Sequence, residues 1–85
     1  MDYYSIDVEA TGKNLKQICK RKGVTAGDLM SLLHFTTPTA VYKWYSGRNL
    51  PSMDNMIVIA RFLEVGVEDI VVIKCSEDTE AEKGD

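Results

Sequence analysis

The sequence of 85 residues predicts a mainly α domain with a short β-strand near each end. Three observations carry that expectation. Apolar residues recur at three- and four-residue spacing through four segments between Leu15 and Leu63. A helix-starting residue precedes each segment: Thr11, Thr25, the Thr37–Pro38 pair and Ser52. The flanking runs "YYSIDV" and "IVVIKC" are alternating or β-branched, as strands are. The length is that of one domain, near the lower limit for a self-sufficient core.

The first helix is expected over "GKNLKQICKRK", capped by Thr11 and stopped by Gly23. Leu15, Ile18 and Cys19 form its inner stripe, leaving Lys13, Gln17, Lys20 and Arg21 outside. Thr25 caps the second helix, and Asp28 completes a shortened capping box. Leu29, Leu32 and Leu33 point inward there; Gly27, Ser31 and His34 point outward. In the third helix Pro38 is expected at the first helical position, where a missing N–H costs no hydrogen bond. Val41, Trp44 and Tyr45 face the core, while Thr39, Lys43 and Ser46 face out with Tyr42 at the flank. Gly47 ends this helix and "RNLP" forms the loop.

Ser52 caps the fourth helix, whose inner stripe is Met56, Ile59, Ala60 and Leu63. Ile57, Val58 and Phe62 make it apolar nearly all round, so cover on more than one side is expected. Gly66 closes it, "VEDI" gives a fifth short helical turn, and "IVVIKC" reads as a strand. Tyr4, Ile6 and Val8 alternate at the other end. The two terminal segments are expected to pair and to cover the second face of the fourth helix.

The formal net charge of -3 hides a segregation. Residues 11–50 hold Lys13, Lys16, Lys20, Arg21, Lys22, Lys43 and Arg48 against one acid, Asp28. The final "SEDTEAEKGD" holds five acids against Lys83 and reads as a solvated, disordered tail. A basic body with an acidic tail points to a polyanionic partner for the body. "MDYYSIDVEA" lacks the basic and apolar regions of a secretory signal. The longest apolar runs, "MIVIA" and "IVVI", fall far short of the roughly 20 residues of a bilayer span. A cytoplasmic protein without membrane contact is therefore expected. Cys19 and Cys75 match no metal-ligand spacing and are too few for a disulfide scaffold. Cys19 reads as a small core filler, and His34, the single histidine, as a surface turn residue. No nucleophile, base and acid set accompanies them, so neither an enzyme nor a cofactor is expected.

Two helices joined by a short turn, the second polar on its outer face, make a helix-turn-helix. Such a second helix fits the major groove of duplex DNA and reads base edges near its N-terminus. From Leu15 to Ile70 the chain resembles the Cro/phage-repressor type helix-turn-helix family, the XRE family of bacterial and phage transcription regulators. The stretches that carry the resemblance are "LKQICKRKGVTAGDL", "TPTAVYKW" and "WYSGRNLPSMDNMIVIARFLEVGVEDI". The spacing of Trp44, Gly47, Pro51 and Ser52 is the sharpest part, followed by the "GVEDI" ending. The resemblance implies a compact five-helix domain whose third helix reads the major groove. By position, DNA contacts fall on Pro38, Thr39, Ala40 and Lys43, with Thr37 and Tyr42 beside them. Phosphate contacts fall on Arg48 and the start of the second helix. Two departures stand out: Ala26 and Gly27 occupy the place where the family often has glutamine, and His34 replaces the expected turn glycine in a longer turn.

The domain organisation that results is an N-terminal strand or arm over 1–10, the helix-turn-helix domain with its C-terminal strand over 11–75, and the acidic tail over 76–85. The function expected is sequence-specific binding of double-stranded DNA by a transcriptional regulator, a repressor acting as a homodimer. The alternative is an antitoxin-like or other protein-interaction module that keeps the fold and binds a protein partner.

Overall fold

The computed structural model describes residues 2–77, and residues 78–85, most of the acidic tail, lie outside them. The chain runs as β1 (Asp2–Ile6), α1 (Val8–Arg21), α2 (Ala26–Leu32), α3 (Thr39–Tyr45), α4 (Met53–Leu63), α5 (Val67–Ile70) and β2 (Ile73–Glu77). The expected class holds: five helices and one antiparallel pair of terminal strands. All five helices contribute to one core. Leu15, Ile18 and Cys19 come from α1, Leu29 from α2, and Val41 and Trp44 from α3. Met56, Ile59, Ala60 and Leu63 of α4 and Ile70 of α5 complete it. Full burial of such a side chain contributes about 1.5–3 kcal/mol each. Leu32, Leu33 and Tyr45, expected on the same stripes, are partly buried and pack against this core.

The four longer helices end in the same way. The residue past the last turn adopts a left-handed conformation, and its N–H and the next one close back on the helix. For α1 that residue is Gly23 (φ 72°) and for α3 it is Gly47 (φ 79°). In α2 it is His34 and in α4 it is Glu64, both at φ 61°. The His34 N–H donates to the Ser31 carbonyl at 3.2 Å and the Phe35 N–H to Met30 at 2.9 Å. Glu64 and Val65 donate likewise to Arg61 and Ala60 at 3.1 and 3.0 Å. Gly66 therefore does not close α4; it precedes α5, where its N–H donates to the Asp69 carboxylate at 2.8 Å.

Helix α1 begins earlier than its spacing suggested. Asp7 is the cap, accepting from the Ala10 N–H at 2.9 Å, with Glu9 in the first turn. Val8, expected to continue a strand with Tyr4 and Ile6, is helical instead. An acidic cap followed by Glu9 and Ala10, both good helix formers, outcompeted a three-residue alternation. Thr11, read as a cap, is a buried interior residue. Its hydroxyl accepts from the Val72 N–H at 2.9 Å and donates to the Val72 carbonyl at 3.4 Å. Asn14, one turn on, donates to the carbonyls of Asp69 and Ile70 at 2.8 and 2.9 Å. With the Asp7 N–H bonding the Val72 carbonyl at 2.8 Å, α1 holds the end of α5 and the start of β2. That is why the β-branched run "IVVI" is not all strand.

Helix α1 thus includes residues 8–10, expected in the N-terminal arm, and β2 includes Ser76 and Glu77, expected in the tail. The terminal strands do pair, with Tyr4 opposite Cys75 and Ile6 opposite Ile73. They do not cover the second face of α4. Ile57, Val58 and Phe62 remain 44%, 41% and 47% exposed, because the hairpin is anchored to α1 instead.

Candidate nucleic-acid interface

Helix α3 is held on one side and open on the other. Val41 and Trp44 are buried, and the Trp44 ring meets Phe35 edge-on, with centroids 5.9 Å apart. Gly12 of α1 lets the two backbones touch: a Cβ there would collide with the Trp44 carbonyl oxygen. Gly47 does the same at the helix end, where a Cβ would sit 2.8 Å from Glu9 Cα. Tyr45 is half-buried beside Cys19. Burial and the neighbouring thiol push the Tyr45 phenol well above its ordinary value, and burial raises the Cys19 thiol. Both therefore stay neutral where α3 packs on α1.

The opposite side carries the polar set. Thr39 and Lys43, one turn apart, are exposed, with Ala40 half-buried between them. Tyr42 is 57% exposed and rests edge-on against Tyr45, with centroids 6.3 Å apart. Pro38 sits at the cap position (φ −86°), one residue before the helical position expected of it. The Tyr42 N–H bonds its carbonyl at 3.1 Å, so proline still sacrifices no helical hydrogen bond. No side chain caps α3 from that position. Thr37 takes a supporting part, its Oγ1 accepting from the Thr39 N–H at 3.5 Å and donating to Thr39 Oγ1 at 3.2 Å.

Of the residues expected at the interface, Thr37, Thr39, Ala40 and Lys43 line one shallow groove. Pro38, Tyr42 and Arg48 are not in its lining. Arg48 is exposed just past Gly47, where its N–H closes α3 onto the Lys43 carbonyl at 2.9 Å. His34, Thr36 and Asn49, none of them an expected contact, line the same groove. They come from the loops at either end of α3, which helical spacing does not reach. A second depression brings Lys16 and Lys20 of α1 beside Thr25 and Ala26 at the start of α2. Their four-residue spacing was legible, but the neighbour across the gap was not. Lys16, Lys20, Lys43 and Arg48 are all exposed around α2 and α3, with Asp28 the acid in the first turn of α2.

The family model of the Cro/C1-type helix-turn-helix DNA-binding domain matches residues 14–76. The chain belongs to that family. Among solved structures, this Cro/C1-type domain is similar to the restriction-modification controller protein C.AhdI from Aeromonas hydrophila, at 20% identity and a TM-score of 0.67. The likeness covers 75% of this chain and 96% of that one. The DNA-binding domain of BldD is similar at 15% identity and a TM-score of 0.64, covering 78% and 94%. At these identities the likeness is one of fold. No curated protein matches the sequence significantly. The Cro/C1-type family is a DNA-binding regulator domain, not an enzyme class. Among the described residues no helix is long and apolar enough to cross a membrane.

Proposed function

We propose that this Cro/C1-type domain is a sequence-specific reader of double-stranded DNA that represses transcription in the cytoplasm, acting as a homodimer on a two-fold-related site. The observation that carries the reading is the division of α3 into a seated side and a free side. Trp44 and Val41 fix the helix, while Thr39 and Lys43 are exposed on its other side. In this reading Lys43, Thr39 and Ala40 meet base edges, Thr37, Pro38 and Tyr42 lie along the groove wall, and Arg48 neutralises a phosphate. Lys16 and Lys20 support it as further phosphate contacts. Two copies would place their α3 helices roughly 34 Å apart, one turn of DNA, so that both enter the major groove on one face. A regulator bound there would block access to the duplex.

In vitro selection from a random duplex library at two salt concentrations tests this. Enrichment of an inverted repeat, with binding that weakens steeply as salt rises, is the expected result. A folded protein that enriches no sequence would sink the reading. It would favour the second one, a protein-interaction module, for which the exposed apolar face of α4 is the supporting observation. A complex built on that face would respond little to salt.

A further inference from the structure

Leu32, Ile57, Val58, Arg61 and Phe62 line a shallow apolar groove on the outer side of α4. The opposite stripe of that helix is fully buried, yet Ile57, Val58 and Phe62 are each two-fifths or more exposed. A contiguous apolar patch on so small a domain marks a contact surface.

The charges on the same face indicate what covers it. Asp54 and Arg61 are both exposed and lie seven residues apart, about two turns, so they fall nearly on one line along α4. Ile57 and Val58 flank that line, and the midpoint between them is also the midpoint between Asp54 and Arg61. A two-fold axis through this point sets two copies of α4 antiparallel. Asp54 of each copy then faces Arg61 of the other, at both ends of the contact. Ile57 and Val58 pack around the axis against their own counterparts, with Phe62 and Leu32 extending the apolar area to one flank. A parallel pairing would set acid against acid and base against base, which disfavours it. Self-complementarity about one point is what an isologous contact requires.

We infer that the outer face of α4 is the self-association surface, and that its occupant is a second copy of this chain packed antiparallel in this register. The inference rests on the dimeric part of the proposed function and gives it a location. Sedimentation velocity of the full chain, without DNA and over a range of concentrations, tests it. The wild type is expected to dimerise, and Val58→Asp, which sets like charges together at the axis, is expected to be monomeric. Asp54→Arg and Arg61→Asp should each weaken the dimer about tenfold. The double reversal should recover it, since every pair is then opposite again. All these side chains are solvent-exposed, and circular dichroism verifies that each variant is folded. A double reversal no better than the singles, a dimeric Val58→Asp, or a wild type monomeric up to about 100 μM would each overturn the inference. DNA selection is read separately: a chain that dimerises through this face but enriches no duplex overturns the DNA reading and leaves the contact standing.

Discussion

His34 holds a left-handed backbone conformation at φ 61°, which costs a residue with a Cβ about 1–2 kcal/mol. Glycine there would remove that strain and lose about 0.5–1 kcal/mol to the freedom of the unfolded chain. The His34 side chain is exposed, so little packing is lost. His34→Gly is therefore expected to stabilise the domain by a few tenths of a kcal/mol to about 1 kcal/mol. A thermal melt reads this as a rise of several degrees at most, and a fall would mean that the imidazole makes contacts worth more than the strain. Lys43 has the opposite profile, being exposed and without a part in the core. Lys43→Ala should leave the melting temperature unchanged and weaken binding to the selected duplex by about 1–3 kcal/mol, relaxing preference at one base pair. Titration of matched and mismatched duplexes checks it. An equal loss on every sequence would make Lys43 a phosphate contact.

At the scale of elements, α1 does more than bury a stripe. Thr11 and Asn14 satisfy backbone groups of Val72, Asp69 and Ile70, fixing where α5 ends and β2 departs. Thr11→Val keeps the shape but leaves the Val72 N–H without its partner, a loss of about 1–3 kcal/mol. Hydrogen exchange should show it first in the β1–β2 amides, because a two-stranded ribbon has little stability of its own. Unchanged protection there would mean that the Asp7–Val72 backbone bond suffices. Helix α3 is likewise an element set by its neighbours: Gly12, Gly47 and Phe35 decide how closely it sits, and its own sequence decides what it shows outward.

At the scale of the whole molecule, the buried Cys19 thiol and the half-buried Tyr45 phenol link folding to pH. Both groups are held neutral in the fold, with pKa values raised chiefly by burial. Once unfolded they titrate normally, at about 8.5 and 10. Above those values the unfolded chain releases protons that the folded chain keeps, so stability is full below about pH 8 and falls as pH rises beyond it. Urea melts at about pH 7.5 and pH 10.5 should show that decline, and Tyr45→Phe should reduce it. A pH-independent midpoint would mean that the two groups ionise as readily folded as unfolded.

Much of this was legible in one dimension. Periodicity alone selected Leu15, Ile18, Leu29, Val41, Trp44, Met56, Ile59 and Leu63 as core, because each stripe must face inward whatever it meets. The capping box at Thr25 and Asp28 and the outward position of Thr39 and Lys43 are equally local properties. What stayed hidden depends on a partner distant in the chain. Thr11 reads as a cap until Val72, 61 residues away, is brought to it. His34, Thr36 and Asn49 join the α3 groove only when two loops converge. Ile57, Val58 and Phe62 look like a second buried face, and only the anchoring of the hairpin to α1 leaves them uncovered. The sequence by itself determined which side of each helix is apolar, since that follows from a 3.6-residue period. The tertiary structure decided which of those sides is occupied, since occupancy depends on long-range hydrogen bonds and close backbone approaches that no local spacing records.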